Sequence, residues 1–356
     1  MSSSQPRRAF QTLDGLRGVG AFLVVMRHVP AFFGPIHVPE SFLAVDLFYL
    51  VSGFVVAHAY GERLGKGGFF TDFVKTRLIR LYPLYAFGLM LGIVVAAIAV
   101  ITDPAGWWNP TRLAEAIVTG ALMIPLFPGL AANGSSLDGP TWTLLPELIA
   151  NAAYAAAIRF MNTGVLLAII AVSGAGVVLA ELRYDSLDVG YNATDFWAAL
   201  ARVGFSFFTG VLVFRFFGGR ERKSQIIAWL CMAVLTVLLA WRPSDGATSW
   251  FELGVVLVGF PVLVAVAAQF EPGARTGRLF SYVGLVSYGV YILHLPLGNL
   301  ARAALRGRVG VPGDVRGLIV GAGFLLLLTW LAGWLDRYYD APLRRWLRGR
   351  WMSPRA

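Results

Sequence analysis

Long apolar runs separated by short polar segments dominate the hydropathy pattern of this chain. A helix needs about 20 mostly apolar residues to cross a lipid bilayer. Runs of roughly that length lie at 13–33, 42–60, 83–102, 113–129, 141–158, 163–181, 198–217, 225–241, 251–268, 280–299 and 316–337. The pattern predicts an all-α polytopic membrane protein. We expect a single membrane domain over 1–356, with short cytoplasmic tails at 1–10 and 340–356.

Lysine and arginine cluster in only some of the connecting segments, as the positive-inside rule predicts for cytoplasmic loops. The basic segments are 75–80, 220–223 and 344–350, and the segments with few basic residues are 103–112, 182–197 and 242–249. We therefore expect the first group inside, the second group outside, and both termini in the cytoplasm.

One of the apolar runs cannot cross the membrane if these loop positions are correct. With the 103–112 loop outside and the turn at Arg159 inside, the run at 113–129 and the run that follows it make one crossing together. Pro125 and Pro128 would break a lipid-facing helix in the first of these, whereas irregular backbone is tolerated where protein covers it. We expect about ten spanning helices plus one re-entrant or non-spanning segment.

Composition supports lipid as the solvent of most of the chain. Apolar residues make up 57% of the 356 residues and charged residues 14%, and the mean hydropathy is +0.66. The formal net charge of +10 comes from the short basic loops, so we expect no nucleic-acid partner. Cys231 is the only cysteine and lies within an apolar run, which excludes a disulfide within the chain.

Two ionisable residues lie on one face of the first run. Arg17 and His28 are eleven residues apart, which at about 100° per residue returns to nearly the same face at a separation of roughly 16 Å. A charged residue within the membrane is costly and is a functional candidate by default. The alternative is an arginine that extends to the interface and a histidine that lies there.

The second run contains Asp46 and the tripeptide Ser52-Gly53-Phe54. Gly53 would allow another helix to approach closely. Asp46 is a second intramembrane charge and needs a partner. It is either a catalytic group or a structural counter-ion for an arginine such as Arg17 or Arg27.

Arg77 and Arg80 share a helix face just below the membrane, at i and i+3. The planar guanidinium group matches phosphate oxygens with paired hydrogen bonds. Positive-inside anchoring predicts the same composition, so phosphate binding and anchoring both remain open.

The segment from Gly139 to Glu147 enters a crossing from the outside. It would place Glu147 one to two turns into the apolar layer, at the depth of His28. A carboxylate beside an imidazole would orient the ring and raise its basicity, as in sites where a base activates a hydroxyl. The alternative for Glu147 is a carboxylate near the start of a helix at the interface.

The run at 280–299 carries several polar side chains on a helix that should end outside. Ser287, Tyr288 and His294 are candidates for substrate binding, as is Trp142 before Glu147. Polar groups of this kind also hold helices together without any catalytic role.

Taken together, these segments resemble the membrane-bound acyltransferase-3 family over essentially the whole chain. The resemblance rests on Arg17-x10-His28, the block from Phe48 to Phe54, Arg77-x-x-Arg80, Trp142-Thr143-Leu144 leading to Glu147, and Ser287-Tyr288 with His294-x-Pro296. Thr143 stands where serine is usual, Val51 interrupts the usual Leu-Ser-Gly, and no esterase-like domain follows the membrane core. The last departure suggests that this chain completes the reaction alone.

The resemblance implies transfer of an acyl group, commonly acetyl from acetyl-CoA, to a hydroxyl of a surface or exported carbohydrate or glycolipid, across or within the bacterial inner membrane. It assigns Arg77 and Arg80 to the basic motif, Arg17 and His28 to the essential pair, and Glu147 to the conserved acidic position. We expect membrane lipid around the protein and no metal ion.

We expect the CoA phosphates to dock on Arg77 and Arg80, and the acyl-pantetheine arm to pass Arg17. His28, oriented by Glu147 or Asp46, would then deprotonate the acceptor hydroxyl. A transporter or flippase of a lipid-linked sugar is the alternative, and it predicts paired broken helices in two symmetric halves. A scaffold with purely structural charges is a third interpretation.

Overall fold

The computed structural model describes residues 8–66, 69–124, 137–244, 246–305 and 316–352. Helices dominate this part of the chain, as the apolar runs predict. They are α1 Gln11–His28, α2 Ala44–Gly65, α3 Phe70–Thr102, α4 Pro110–Ala121, α5 Leu144–Ala157, α6 Thr163–Tyr184, α7 Phe196–Phe217, α8 Gln225–Ala240, α9 Thr248–Ala267, α10 Ala274–Ala304 and α11 Arg316–Trp351. Single π-helical turns interrupt α9 at Val255–Gly259 and α11 at Asp336–Asp340.

Among the described residues, 7 helices are long and apolar enough to span a bilayer, namely α2, α3, α6, α7, α9, α10 and α11. The prediction of an all-α membrane protein is therefore confirmed, but the count of ten crossings is not. Helix α1 has 18 residues and carries Asp14, Arg17 and Arg27. Helices α5 and α8 have 14 and 16 residues and fall below the length of a full crossing.

The run at 113–129 corresponds to α4, which has 12 residues and ends at Ala121. At 1.5 Å per residue this helix is about 18 Å long, too short to cross the apolar layer of about 30 Å. Pro125 and Pro128, on which the sequence argument depended, lie outside the described residues.

Several contacts gather the predicted inside segments at one end of the bundle, which we call the basic end. Arg8 donates to the carbonyl oxygens of Gly218 at 3.2 Å and Ala268 at 2.9 Å. The turn after α5 reaches the same end, since Arg215 donates to the carbonyl oxygen of Met161.

Two further contacts at the basic end involve the α2–α3 connection and the end of α11. His58 Nε2 lies 3.2 Å from the carbonyl oxygen of Arg8. Lys75, at the start of α3, donates to the carbonyl oxygen of Trp351 at 3.4 Å. The first and last helices therefore have these ends on the same side of the bundle.

A two-residue parallel pairing closes the basic end between the loops that follow α7 and α9. Strand β1 is Arg222–Lys223 and strand β2 is Phe270–Glu271, with Arg222 opposite Phe270 and Lys223 opposite Glu271. It is the one sheet among the described residues.

The opposite end joins the segments that carry few basic residues. Ser249 donates to Asp185 Oδ1 at 2.9 Å, and Arg242 Nε lies 3.2 Å from Glu40 Oε1. The grouping of loops agrees with the charge pattern of the sequence.

Helices α2 and α7 cross with their backbones in direct contact. A Cβ atom on Gly53 would overlap the carbonyl of Phe207, and one on Gly210 would overlap the carbonyl of Leu50. This close approach confirms the role predicted for Gly53. It brings the polar residues of α2 against α7, where they need partners.

Helices α1 and α10 run parallel and lie side by side over most of their length. Gly18 faces Val283 near the basic end, and Gly298 faces Val29 near the opposite end. Because the two helices point the same way, polar residues at matching depths meet in pairs, which builds the site.

Candidate active site

Two cavities lie at different depths between α1, α2, α3, α5 and α10. The basic cavity has a volume of ≈140 Å³ and is lined by Arg17, Arg77 and Arg80 together with Glu147. The histidine cavity has a volume of ≈400 Å³ and is lined by His28 and by loop residues of the opposite end. The polar residues predicted from the sequence are thus divided unequally between the two cavities.

Glu147 is held in the basic cavity by two donors. Arg77 Nη2 donates to Glu147 Oε1 at 2.8 Å, and Ser52 Oγ donates to the same oxygen at 2.6 Å. Both partners of the ion pair are largely buried, with side chains 10% and 17% exposed. Buried ion pairs need this kind of additional hydrogen bond to offset the loss of hydration.

Arg17 and Arg80 complete the positive lining of the basic cavity. Arg17 Nη2 donates to Ser287 Oγ at 3.3 Å, and Arg17 Nη1 lies 3.6 Å from Asp14 Oδ1. Arg80 makes no ion pair with any residue that the structure describes. Three guanidinium groups face one carboxylate in the lining, so the cavity favours an anionic ligand.

Tyr288 is fixed beside these arginines, because its hydroxyl donates to the carbonyl oxygen of Leu81 at 2.7 Å. Ser287 and Tyr288 both line the basic cavity. They come from α10, whereas the arginines come from α1 and α3.

His28 lies at the end of α1 and meets His294 of α10. His28 Nδ1 is 2.9 Å from the carbonyl oxygen of Val24 and 3.3 Å from His294 Nε2. His294 is fully buried, and its Nδ1 is 2.7 Å from the carbonyl oxygen of Tyr291.

These contacts determine how the two neutral imidazoles share their protons. A carbonyl oxygen only accepts, so each Nδ1 carries a hydrogen. The single Nδ1 hydrogen of His28 is shared between the Val24 carbonyl oxygen at 2.9 Å and His294 Nε2 at 3.3 Å, which therefore accepts. His28 Nε2 then has a free lone pair. This assignment follows from the hydrogen-bond network, and it gives His28 the form needed by a general base.

Trp142 lines the histidine cavity close to the mouth formed by the loop before α7. Its ring centroid lies 6.4 Å from that of Tyr191 in an edge-to-face arrangement. Arg27 and Asp188, which also line this cavity, form an ion pair at 2.7 Å.

The two cavities meet at Val45 and Tyr291, which line both of them. The hydroxyl of Tyr291 donates to the carbonyl oxygen of Pro140 at 2.7 Å and lies 3.1 Å from Thr143 Oγ1. A thin hydrogen-bonded partition therefore separates the three arginines from His28.

Asp46 is placed away from both histidines. Arg202 of α7 holds its carboxylate, with Arg202 Nη2 2.6 Å from Asp46 Oδ2 and both side chains 1% exposed. Arg202 also donates to the carbonyl oxygen of Val189 at 3.0 Å. Asp46 is thus a counter-ion, as one of the two interpretations held, but its partner is neither Arg17 nor Arg27.

The expected contact between Glu147 and His28 is not present, which corrects the depth argument. The five residues Gly139–Thr143 form a 3₁₀ helix before α5. At about 2.0 Å per residue, this helix carries the chain roughly 10 Å inward. Glu147 consequently reaches the depth of Arg77, and the groups that orient His28 are His294 and a backbone carbonyl.

Most of the predicted site residues fall into two groups, one in each cavity. The basic cavity brings together Arg17, Arg77, Arg80, Glu147, Ser287 and Tyr288, and the histidine cavity brings together His28 and Trp142. His294 lies behind His28 and does not line the histidine cavity, so it is not in a position to touch an acceptor there.

Three residues of the site were missed by sequence reasoning. Arg202 lies in the middle of an apolar run, a signal that could have identified it as the partner of an intramembrane carboxylate. Tyr291 and Asp138 carried no such signal, because a tyrosine in a helix and an aspartate before Gly139 are ordinary in sequence. No group of three or more His, Cys, Asp and Glu side chains that could hold a metal occurs in the described ranges.

Comparison with known proteins gives one family and one relative. A family model described as "Acyltransferase domain" matches residues 10–337 of this chain. A protein of Rhizobium radiobacter named "Protein 2 in picA locus" is 45% identical over 167 residues, which cover 44% of this chain and 85% of that protein. No solved structure matches the chain.

Proposed function

Because this chain belongs to the acyltransferase-3 family, we propose that it transfers an acetyl group from acetyl-CoA to a hydroxyl group of a surface or exported glycan. Family membership confirms the resemblance carried by the motifs and makes the protein an integral membrane acyltransferase. Our proposal adds three points to family membership: acetyl is the acyl group, CoA is its carrier and a glycan is the acceptor.

The observation that carries the proposal is the pair of cavities that meet at Tyr291. The positively charged cavity suits the acyl donor. The imidazole with a free lone pair lies at another depth and suits an acceptor that arrives from the opposite side. The roughly 16 Å between Arg17 and His28 along α1 is a distance that an extended acyl-pantetheine arm can cover.

The donor phosphates would bind at the basic cavity. Arg80 and Arg17 have guanidinium hydrogens to offer, and Arg77 keeps Nε available while Nη2 holds Glu147. Arginine pairs well with phosphate oxygens.

The chemical step requires His28 to accept one proton and then to release it. His28 Nε2 takes the proton of the acceptor hydroxyl while its oxygen attacks the thioester carbonyl. The carbon–sulfur bond then breaks, and the departing thiolate takes the proton from His28 to leave as free CoA. The products are the ester and CoA, so no other reactant is needed.

The basic end would face the cytoplasm, where acyl-CoA is made, and the histidine cavity would open to the other side of the bacterial inner membrane. The lysine and arginine pattern of the loops supports this orientation. Reaction across the membrane would then occur without movement of CoA through it.

The proposal is tested with purified protein in liposomes and radiolabelled acetyl-CoA, with release of CoA and labelling of the exported glycan fraction as the two readouts. His28→Ala should lower transfer by about 10²- to 10⁴-fold, the usual contribution of a general base. His37→Ala is the matched control, because His37 is exposed in the loop after α1. Equal transfer by wild type and His28→Ala would refute the proposed base.

A further inference from the structure

Asp138 is a buried carboxyl group that has no hydrogen-bond partner among the residues described by the structure. Its side chain is 2% exposed, and both oxygens are buried and unpaired in the described part of the chain. It lines the histidine cavity. Native proteins leave few buried polar groups unsatisfied, so each one needs a physical reason.

The main chain around Asp138 is fixed, which holds the carboxyl group in place. Its carbonyl oxygen accepts from Thr141 Oγ1 at 2.6 Å and from the Thr141 backbone N–H at 3.2 Å. Gly88 of α3 packs beside the carboxyl group, since a Cβ atom at that position would lie in ordinary van der Waals contact with Asp138 Oδ2, at 3.4 Å. The carboxyl group is therefore preorganised.

The arginines of the same cavity do not balance this carboxyl group. Arg27 is paired with Asp188, and Arg202 is paired with Asp46. Burial raises the pKa of Asp138 well above its usual range, and a protonated carboxyl group can both donate and accept. A neutral ligand with hydroxyl groups meets both capacities.

A second unpaired acceptor lies in the same cavity. Asn192 Oδ1 is buried and has no hydrogen-bond partner in the described ranges, while its Nδ2 donates to Asp195 Oδ2 at 3.4 Å, which fixes the amide orientation. Trp142 and Tyr191 add aromatic surface to the same lining. Two fixed polar groups beside aromatic rings form the usual pattern of a site that binds a small polar molecule with an apolar face.

We propose that Asp138 is the acceptor-binding residue of the histidine cavity, where it exchanges hydrogen bonds with hydroxyl groups of an uncharged sugar ring that packs on Trp142. Asn192 binds a further hydroxyl of the same ring. This inference rests on the proposed acyl transfer to a glycan and names the group that recognises it. The hydroxyl groups of the ring would form hydrogen bonds with the Asp138 and Asn192 oxygens, which have no partner among the described residues.

The test compares Asp138→Asn and Asp138→Leu with wild type. The acceptor is the exported glycan of a strain that lacks this protein, and the donor is radiolabelled acetyl-CoA. Initial rates against glycan concentration give the KM for glycan, and rates against acetyl-CoA give the KM for the donor. The midpoint of thermal unfolding without ligand is recorded for each variant.

We expect Asp138→Leu to raise the KM for glycan by at least about 10-fold, since a buried group that loses its partner binds poorly. Asp138→Asn, which can still donate and accept, should raise it less. The KM for acetyl-CoA should not change. Neither variant should lower the unfolding midpoint, because an unpaired buried carboxyl group adds no stability.

Glu181→Gln is the matched control. Glu181 is also buried, 1% exposed, on α6, and lines neither the basic nor the histidine cavity. Its replacement should leave both KM values unchanged.

Each other outcome overturns the inference in a recognisable way. An unchanged KM for glycan, or a lowered unfolding midpoint with unchanged KM, would make Asp138 structural. Equal losses in the Asn and Leu variants would show that charge matters and that the ligand is a cation. Failure of wild type to label the glycan would overturn the proposed function itself, before any variant is compared.

Discussion

His294 Nε2 lies 3.3 Å from His28 Nδ1, at the place where a carboxylate was expected. The carbonyl oxygen of Val24, 2.9 Å from His28 Nδ1, fixes the tautomer of the His28 ring, and His294 Nε2 contacts the same Nδ1 atom. His28 therefore keeps a free Nε2 in a cavity whose arginines are all paired. In this site the orientation of the base comes from α10 and from the backbone of α1.

His294→Leu should lower kcat roughly 5-fold and leave both KM values unchanged. One hydrogen bond of roughly 1 kcal/mol is lost, and 1.36 kcal/mol corresponds to a factor of ten in rate. His294→Gln, which can still accept from His28, should recover part of the rate. The kcat and KM split in steady-state assays checks this. A change in KM alone would place His294 in contact with a substrate.

Arg80→Gln should weaken binding of CoA roughly 10-fold without a change in thermal stability. Arg80 is exposed at the cavity mouth and makes no ion pair with a described residue, so its loss removes only the contact with the ligand. Isothermal titration with CoA measures the affinity. Arg278→Gln, an exposed arginine of α10 away from the cavity, is the control. Unchanged affinity in Arg80→Gln would make Arg80 a topology signal.

Arg77→Gln should behave differently from Arg80→Gln. The buried ion pair with Glu147 would be broken, so we expect a lower unfolding midpoint as well as weaker binding of CoA. Glu147→Gln should lower the midpoint by a similar amount, and the double variant should lower it by less than the sum. Additive effects of the two changes would contradict direct coupling of Arg77 and Glu147.

Asp46→Asn should destabilise the protein by about 3–5 kcal/mol, the usual cost of leaving one member of a buried ion pair alone. Asp46→Leu combined with Arg202→Leu should recover much of that loss, because both charges leave together. Thermal unfolding in detergent gives the order of stability. A double variant less stable than both single variants would show that the pair itself stabilises the fold.

Residues at the basic end should be cytoplasmic. Cys231 is buried and is the only cysteine, so Cys231→Ser provides a background for single cysteines. Arg220→Cys and Arg348→Cys should resist a membrane-impermeant maleimide on intact cells, whereas Asp103→Cys should react. Labelling of the first two in intact cells would invert the orientation and put the arginine cavity outside.

Much of this protein was predictable from local pattern. Each of the apolar runs overlaps a described helix, and the grouping of Arg17, Arg77 and Arg80 around one cavity follows from their depth and loop charge. Helix formation and insertion depend on the local content of apolar and charged residues.

The partners of these residues depended on the tertiary structure. Glu147 meets Arg77 because a 3₁₀ segment carries α5 inward, and Asp46 meets Arg202 because two glycines bring α2 and α7 into backbone contact. Such contacts depend on which helices are neighbours and on the backbone geometry of segments that lie far apart in the sequence.

The sequence alone determined the helical membrane architecture, the grouping of the loops and the family, since these depend on composition and on motif order along the chain. The tertiary structure decided that His28 contacts His294, and that Asp138 lines the same cavity as His28 with no hydrogen-bond partner among the described residues. The physical reason is that a hydrogen bond is set within a few tenths of an ångström, a precision that only the packed arrangement of α1, α3 and α10 defines.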